Sequence, residues 1–442
     1  MTEDRSHLAG DLRRAVTVLL MLVRTTARAV AGRLRPGDRR PWTDVVAVAV
    51  ADSFEDLGPT FVKLGQLITS SPGVFPAPLV EACRRHLYSV RPVPASAVRA
   101  VIAEDLGAPV VELFGSFDDQ PLSAASIAQV HACTLLDGQP AVVKVQRPDI
   151  TTSMLADLRV LGHLARLIDR IPAARGTNLP GIVADLHHVT IQELDFTHEA
   201  EVQSRFAEGL HAFGDNAMVT VPRVFPGLCG GRTITMERLS GTPLDRYAAE
   251  GQRAEEGETV LRRILKVWLE AVIVHGPFHG DVHGGNIWVL DDGRVAFLDF
   301  GISGELEPGW RQFLAKLFLG TAFDGGFAPL ARSAKLLGAI PETAGTDEEV
   351  GDRLAVLITP FLGGGAAEVS LGEVLRSLVT AFDQFGTKVP NELILVAKQL
   401  LYLEGYTKAL APDHRLAADT YLLRNIHPDL VNKTRMASAH PD

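Results

Sequence analysis

The chain has 442 residues, 46% of them hydrophobic and 22% charged, with a formal net charge of −10. That composition belongs to a folded protein with ample core, about two or three domains long or one two-lobed enzyme with an extension, and the acidic balance excludes the basic footprint of a nucleic-acid binder. Three cysteines, Cys83, Cys133 and Cys229, lie far apart with no metal or redox spacing, so a reducing, cytoplasmic setting is expected.

Residues 1–41 carry Arg13, Arg14, Arg24, Arg28, Arg33, Arg35, Arg39 and Arg40 around an apolar patch at 18–23. A basic amphipathic helix of this kind can lie on an anionic membrane surface or pack on its own domain with solvated arginines. The apolar run 16–23 is shorter than the ~20 residues that cross a bilayer, and no signal-cleavage site follows it, so any lipid contact is expected to be peripheral. Residues 42–110 read as a helical extension. A helix at 42–56 is broken by Leu57-Gly58-Pro59-Thr60, and a second follows at 61–68, on which Lys63 and Gln66 share a face. Spacing alone makes that pair a solvated surface. Helices at 79–88 and 95–106 come next, the last stopped by Gly107.

At 111 the period changes. Strands are expected at 112–117, 127–135 and 141–145, antiparallel, with the last two joined at Asp137-Gly138. Lys144 lies in the third among valines. An amine is costly to bury there unless an anion meets it, so it reads as phosphate-facing. Ala124, Ala125 and Ser126 stand where a kinase carries its Gly-rich loop. Each Cβ restricts φ and holds the backbone off the phosphates, which predicts altered nucleotide preference or slow turnover.

A helical insert at 152–171 precedes a mostly continuous helical stretch at 179–213 that contains Glu193, Asp195 and Glu199. Asp195 and Glu199 share a face, whereas Glu193 lies roughly 200° round from Asp195 unless the helix bends. In kinases one carboxylate on such a helix orients the strand lysine. Strands at 221–224 and 233–236 complete the small sheet. The segment 237–241 is the expected hinge, where backbone groups from Glu237 to Leu239 meet an adenine edge with Met236 behind.

The most informative stretch is His279-Gly280-Asp281-Val282-His283-Gly284-Gly285-Asn286, followed, after a hairpin turned at Asp291-Asp292-Gly293, by Asp299-Phe300-Gly301. Asp281 can orient or deprotonate a nucleophile, while Asn286 and Asp299 offer hard oxygen ligands for Mg²⁺ on a nucleotide's phosphates. His283 stands where protein kinases carry a lysine and compensates phosphate charge less well near pH 7. No Ala-Pro-Glu follows, so the peptide-docking segment is missing or rebuilt. His275, His279 and His283 do not make a metal cluster, because Gly276-Pro277 breaks any helix that would align them. The rest reads as helical at 257–273, 313–318, 354–361, 371–382 and 393–403, with a frayed tail at 432–442.

From about 45 to 423 these stretches jointly resemble the UbiB family of AarF-type atypical kinase-like proteins. The resemblance is carried by Lys63-Leu64-Gly65-Gln66, Ser123-Ala124-Ala125-Ser126, Lys144-Val145-Gln146-Arg147-Pro148, Glu193, Asp195, Glu199, the 279–286 loop and Asp299-Phe300-Gly301. It implies an α+β, two-lobed protein-kinase-like fold. Its parts are a basic segment (1–41), a helical extension (42–110), a small antiparallel-sheet lobe (111–236) and a helical lobe (237–431). It further implies an ATPase or unorthodox kinase that binds Mg²⁺ with ATP or ADP and supports isoprenoid-quinone or other lipid metabolism. Carried over residue by residue, Lys63 and Gln66 gate the pocket, Glu193 and Asp195 meet that gate, and Glu199 pairs with Lys144. Many members end in transmembrane helices. None is expected here, since the C-terminal apolar stretches carry Lys398 and Glu404 at helical intervals.

Two other readings stand beside this one. The 279–286 loop is also similar to that of small-molecule kinases of the aminoglycoside or choline type, which lack the lysine-glutamine extension. A nucleotide-binding pseudokinase scaffold is the third, and the intact Asp281, Asn286 and Asp299 argue against it.

Overall fold

Glycine and proline punctuate the start of the chain, and the helices follow them. Helix α1 (Thr2–Arg33) precedes α2 (Trp42–Leu57), which ends at Gly58 with φ +104° before Pro59 opens α3 (Pro59–Thr69). Helices α4 (Ala77–His86) and α5 (Ala95–Leu106) come next, the latter closed by Gly107 in the left-handed region. The computed structural model describes residues 2–34, 41–69, 75–86, 92–171, 178–212, 216–251, 254–323, 327–362, 371–384, 387, 389–413 and 422. The tail at 432–442 lies outside them. The chain divides into two compact units, one formed by Met1–His198 with Phe225–Arg238 and the other by Glu199–Val224 with Leu239–Asp442.

The first unit contains a four-stranded antiparallel sheet in the order β1-β2-β3-β5, built from β1 (Ser116–Ala124), β2 (Ala128–Thr134), β3 (Pro140–Gln146) and β5 (Thr233–Glu237). On β3 the period of two buries Ala141, Val143 and Val145 against Val98, Val101 and Ile102 of α5, and leaves Val142 and Lys144 half-buried on the other face. The strand expected at 112–117 needs correction. Pro109 opens a single helical turn, α6 (Val110–Leu113), and β1 starts only at Ser116 and runs on to Ala124, into the stretch read as a loop.

A second correction concerns 179–213, which is two helices, α8 (Leu179–Glu193) and α9 (Phe196–Ala212). The Asp195 carboxylate accepts the His198 N–H at 3.0 Å and so caps α9, a use of a short acidic side chain that competes with continuing the helix. The Gln146 side chain donates to the Leu194 carbonyl at 2.7 Å and holds the break in place.

The N-terminal helices pack through Val18, Ala51, Phe54, Phe61, Val62 and Cys83. A buried carboxylate ties them to α7 (Ile150–Ile168). Asp157 accepts from Arg14 Nε at 2.5 Å and from the Thr60 hydroxyl at 2.9 Å, and Arg14 also donates to the Leu57 carbonyl at 2.7 Å. The opposite face of α1 exposes Val16, Leu19, Leu20 and Val23. Among the described residues one stretch, Arg14–Arg33, has the length and composition of a membrane span, with 20 residues at mean hydropathy 1.4. The expectation of a run too short to span counted only 16–23, whereas alanines and threonines extend it between the arginines.

In the second unit a mixed sheet runs β4-β9-β8-β6, from β4 (Val219–Thr220), β6 (Gly241–Pro243), β8 (Ile287–Leu290) and β9 (Val295–Phe297), with β4 parallel to β9. Of the strand expected at 221–224 in the small sheet, only Val224 forms a bridge, and the Phe225 N–H beside it donates to the Thr235 carbonyl of β5 at 2.9 Å, whereas the β4 ladder stops before Pro222, which has no N–H to extend it. A two-stranded pair joins β7 (Phe278–His279) to β10 (Ser303–Gly304).

The remaining helices are α10 (Leu244–Ala249), α11 (Ala254–Glu270) with a π turn at Ala271–His275, α12 (Pro308–Phe323), α13 (Ala328–Leu336), α14 (Asp347–Leu362), α15 (Leu371–Gln384) and α16 (Asn391–Leu410). Their core gathers Trp268, Phe278, Phe297, Phe300, Phe313 and Phe382. Within it Lys266, Glu270 and Asn216 close a triangle. Lys266 Nζ lies 2.8 Å from Glu270 Oε1 and 2.5 Å from Asn216 Oδ1, and the Asn216 amide donates to Glu270 Oε2 at 2.9 Å. A buried ion pair is tolerable only when completed in this way.

Candidate functional site

Strands β8 and β9 form the hairpin the sequence predicts, paired Ile287↔Phe297 and turned at Gly293, whose φ of +82° suits glycine. Beyond the ladder the Leu298 N–H donates to the Asn286 carbonyl at 2.8 Å, so Asn286 and Asp299 leave adjacent ends of the hairpin. Asp299 is exposed and has φ +61°, a left-handed conformation that costs a non-glycine residue energy and gathers at functional sites. Its Oδ1 accepts the Gly301 N–H at 3.3 Å.

Asp281 is held from three sides. Its N–H donates to His279 Nδ1 at 3.1 Å, its carbonyl accepts from the Asn286 amide at 3.1 Å, and that amide also reaches Asp281 Oδ2 at 3.4 Å. His283 Nδ1 accepts the Gly285 N–H at 3.0 Å, which leaves the proton on Nε2, 3.5 Å from Asp281 Oδ2. The carboxylate is thereby aimed while one oxygen remains able to meet a hydroxyl or water. With its NH₂ turned to Asp281, Asn286 presents Oδ1 as a ligand. Asn286 Oδ1 and the Asp299 carboxylate are hard oxygens that fit Mg²⁺, an ion that draws its other ligands from phosphate and water.

Sequence reasoning missed what His279 does. It is buried, its Nε2–H donates to the Leu298 carbonyl at 2.9 Å, and its ring stands edge-on to Phe300 at 4.8 Å. Trp268 Nε1 donates to the His279 carbonyl at 2.8 Å. Burial pushes its pKa down, in keeping with a neutral ring that accepts at Nδ1 and donates at Nε2. The one available signal was its place two residues ahead of Asp281.

In the first unit, Lys144 is half-buried, with Nζ over the Phe196 ring 5.2 Å from its centroid. The alanine-rich segment is a tight turn in which the Ala125 N–H donates to the Ala128 carbonyl at 2.8 Å; Ala124 pairs with Gln129, and Ser126 is half-buried. Arg147, also missed, braces the turn by donating from Nε to the Ala125 carbonyl at 2.9 Å, and burial pulls its pKa down.

Lys63 is not solvated but 8% exposed and ion-paired with Glu193, because α3 buries the face on which it stands. Gln66 lies exposed on the same helix and Asp195 caps α9, while Lys63 and Glu193 of the expected gate meet directly. Glu237 pairs with Ala141 at the end of β5, Met236 is buried, and the boundary between the units falls just before Leu239. Glu199 is buried on α9 and belongs to the second unit. The buried thiols of Cys83 and Cys133, pushed up to about 11 and about 12, are packing groups rather than nucleophiles.

Comparison with known proteins gives a consistent result. Residues 87–325 match the family described as the ABC1 atypical kinase-like domain, and residues 354–415 match the UbiB helical domain. An uncharacterised protein of Mycobacterium tuberculosis is 34% identical over 95% of this chain and 85% of its own length. A chloroplastic aarF domain-containing protein kinase of Arabidopsis thaliana is 32% identical over 83% of this chain and 72% of its own. A probable protein kinase UbiB of Erwinia tasmaniensis is 31% identical over 81% of this chain and 66% of its own. A solved Mycobacterium tuberculosis protein in complex with erythromycin aligns over 93% of this chain and 99% of that one, at 21% identity and TM-score 0.48.

Proposed function

The chain belongs to the ABC1/UbiB family of atypical kinase-like proteins, and from that premise we propose that it binds an adenine nucleotide with Mg²⁺ and hydrolyses it or transfers its γ-phosphate to a small molecule or lipid. The observation that carries this reading is the loop-and-hairpin of the second unit, where Asn286 and Asp299 flank one hairpin and Asp281 is aimed by Asn286 and His283. Mg²⁺ when bound supplies charge neutralisation on the phosphates. Asn286 Oδ1 and the Asp299 carboxylate hold it. Asp281 orients the attacking water or hydroxyl and takes up its proton. Lys144 balances α/β-phosphate charge, with Glu199 as its orienting carboxylate, and the Ala124-Ala125-Ser126 turn covers the phosphates. Backbone groups from Glu237 to Leu239 meet the adenine.

A peptide acceptor is disfavoured in this reading, because His283 replaces a lysine and the helix bearing Lys63 is tied to Glu193. The acceptor class is then a small molecule or lipid, in isoprenoid-quinone or other lipid metabolism. The exposed apolar face of α1, Val16, Leu19, Leu20 and Val23, with exposed Arg24 and Arg28 beside it, supports peripheral contact with an anionic membrane by an otherwise cytoplasmic protein.

Nucleotide turnover by the full chain, with Mg²⁺ and with or without anionic vesicles, tests the proposal. Lipid-stimulated hydrolysis supports it. Stoichiometric phosphorylation of a soluble alcohol assigns the protein to the small-molecule kinases, and binding without turnover makes it a scaffold. Asp299→Asn is expected to abolish metal-dependent turnover while leaving the fold intact.

A further inference from the structure

Helix α16 lies outside the hairpin and loop that carry the chemistry, yet one of its faces meets that loop repeatedly. Leu395, Gln399 and Tyr406 project from nearly the same side of the helix. Leu395 packs on Gly280, where an added Cβ would meet Leu395 Cδ2 at 2.8 Å. The Val282 N–H donates to Gln399 Oε1 at 3.0 Å. The Tyr406 hydroxyl donates to Asp245 Oδ1 at 2.7 Å, and the Asp245 carboxylate fills the space a Cβ on Gly284 would need. The neighbours of Asp281 on both sides are thus gripped from α16.

Gln399 is the informative member. It is fully buried, its oxygen is committed to Val282, and its Nε2 makes no hydrogen bond among the described residues. A leucine or methionine would fill the same volume without burying an idle NH₂, so packing does not account for a glutamine here. The Val282 N–H is itself buried and requires an acceptor, and glutamine is a side chain that reaches it from a helix without adding a buried charge.

We infer that Gln399 is a positioning residue for Asp281. By fixing the peptide that follows Asp281, it holds the carboxylate in the direction set by Asn286 and His283. This rests on the nucleotide turnover proposed above, so one readout is kept independent of it.

The test uses the full-length protein and three variants, Gln399→Met, Gln399→Asn and Gln399→Glu. Gln399→Met keeps the volume and loses the acceptor. It is expected to lower kcat for Mg²⁺-ATP about tenfold or more with KM within about twofold, the split expected when only alignment is lost. Gln399→Glu keeps an acceptor oxygen and, because burial favours the protonated acid, should recover most of that loss without adding a charge. Gln399→Asn, a milder change with a shorter reach, should behave like methionine and serves if the methionine variant does not fold. Hydrogen exchange at the Val282 amide should speed up in the methionine and asparagine variants but not in the glutamate variant. Unchanged kcat in Gln399→Asn or Gln399→Met overturns the inference, as does a loss that Gln399→Glu fails to reverse. Absence of turnover in the unaltered protein defeats the proposed function instead, and exchange at Val282 then decides the anchoring alone.

Discussion

Lys63 on α3 sits against Glu193 in the last turn of α8, and the two side chains are only 10% and 18% exposed. Removing one partner strands the other in a poorly solvated place. Lys63→Met and Glu193→Gln are each expected to lower stability by about 1–3 kcal/mol. The double change Lys63→Met/Glu193→Gln should cost less than their sum, and urea unfolding of the set measures that coupling. Strict additivity would remove the pair from the account of how α3 is held.

Asp157 on α7 predicts a second effect, at the first turn of α3. It is 2% exposed and shared by Arg14 and Thr60. Arg14→Met leaves the carboxylate with a hydroxyl alone, and a loss of about 2–4 kcal/mol is expected. Arg14→Met/Asp157→Leu should regain a good part of it. A wild-type melting temperature in Arg14→Met would mean that α1 does not pack on this unit in solution.

Acid sensitivity should trace in part to His279. Burial pushes its folded pKa down, while the unfolded chain takes up that proton near the ordinary value of about 6.5. Below that value the unfolded state binds more protons, so stability is whole above about pH 6.5 and falls as pH drops further towards the folded pKa. Urea midpoints from pH 8 to pH 5 should show this fall, and His279→Gln should flatten it.

Asp299 separates activity from backbone tolerance. At φ +61° asparagine is accepted nearly as well as aspartate, so Asp299→Asn should stay within about 0.5 kcal/mol of the parent while losing metal-dependent turnover. Asp299→Ala carries no side chain able to bond locally and should cost about 1 kcal/mol more. Calorimetry and turnover on the two variants check the distinction.

The alanine-rich turn should set nucleotide preference. Replacing Ala124 and Ala125 by glycine frees φ and lets the backbone approach the phosphates, which should change the ratio of ATP to ADP affinity severalfold. Arg147→Met, which removes the brace on the Ala125 carbonyl, should shift the same ratio in the same direction. Equal ratios in all three proteins, measured by calorimetric titration, would dissociate this turn from nucleotide choice.

Much of this was legible because it is local. The hairpin β8–β9, the Asp137-Gly138 turn and the breaks at Gly58 and Gly107 each follow from residues next to one another in sequence. The errors came where a distant partner decided the outcome. The break between α8 and α9 is held by Gln146, 48 residues away, whose side chain donates to the Leu194 carbonyl. Spacing alone makes Lys63 look solvated because its neighbours on α3 do not reveal Glu193, and only the family resemblance sets the two against each other. The strand expected at 221–224 lies instead mainly at 219–220 for the same reason, since pairing with β9 is not written in those residues' own pattern. Arg147, His279 and Gln399 act on backbone atoms, and a backbone atom leaves no residue type to recognise.

The rung between Leu298 and Asn286 sets the separation of Asn286 and Asp299 through one short hairpin. So brief a loop closes on its own in about 1–10 μs, well ahead of the assembly of a large domain. The spacing of the pair is thus inherited from the hairpin rather than negotiated by the surrounding helices. Variation of the exposed Asp291 side chain leaves that spacing untouched, whereas Gly293 at φ +82° and Asp292, which accepts the Arg294 N–H at 3.0 Å, hold the turn, and Asp291 is therefore the natural place to attach a label.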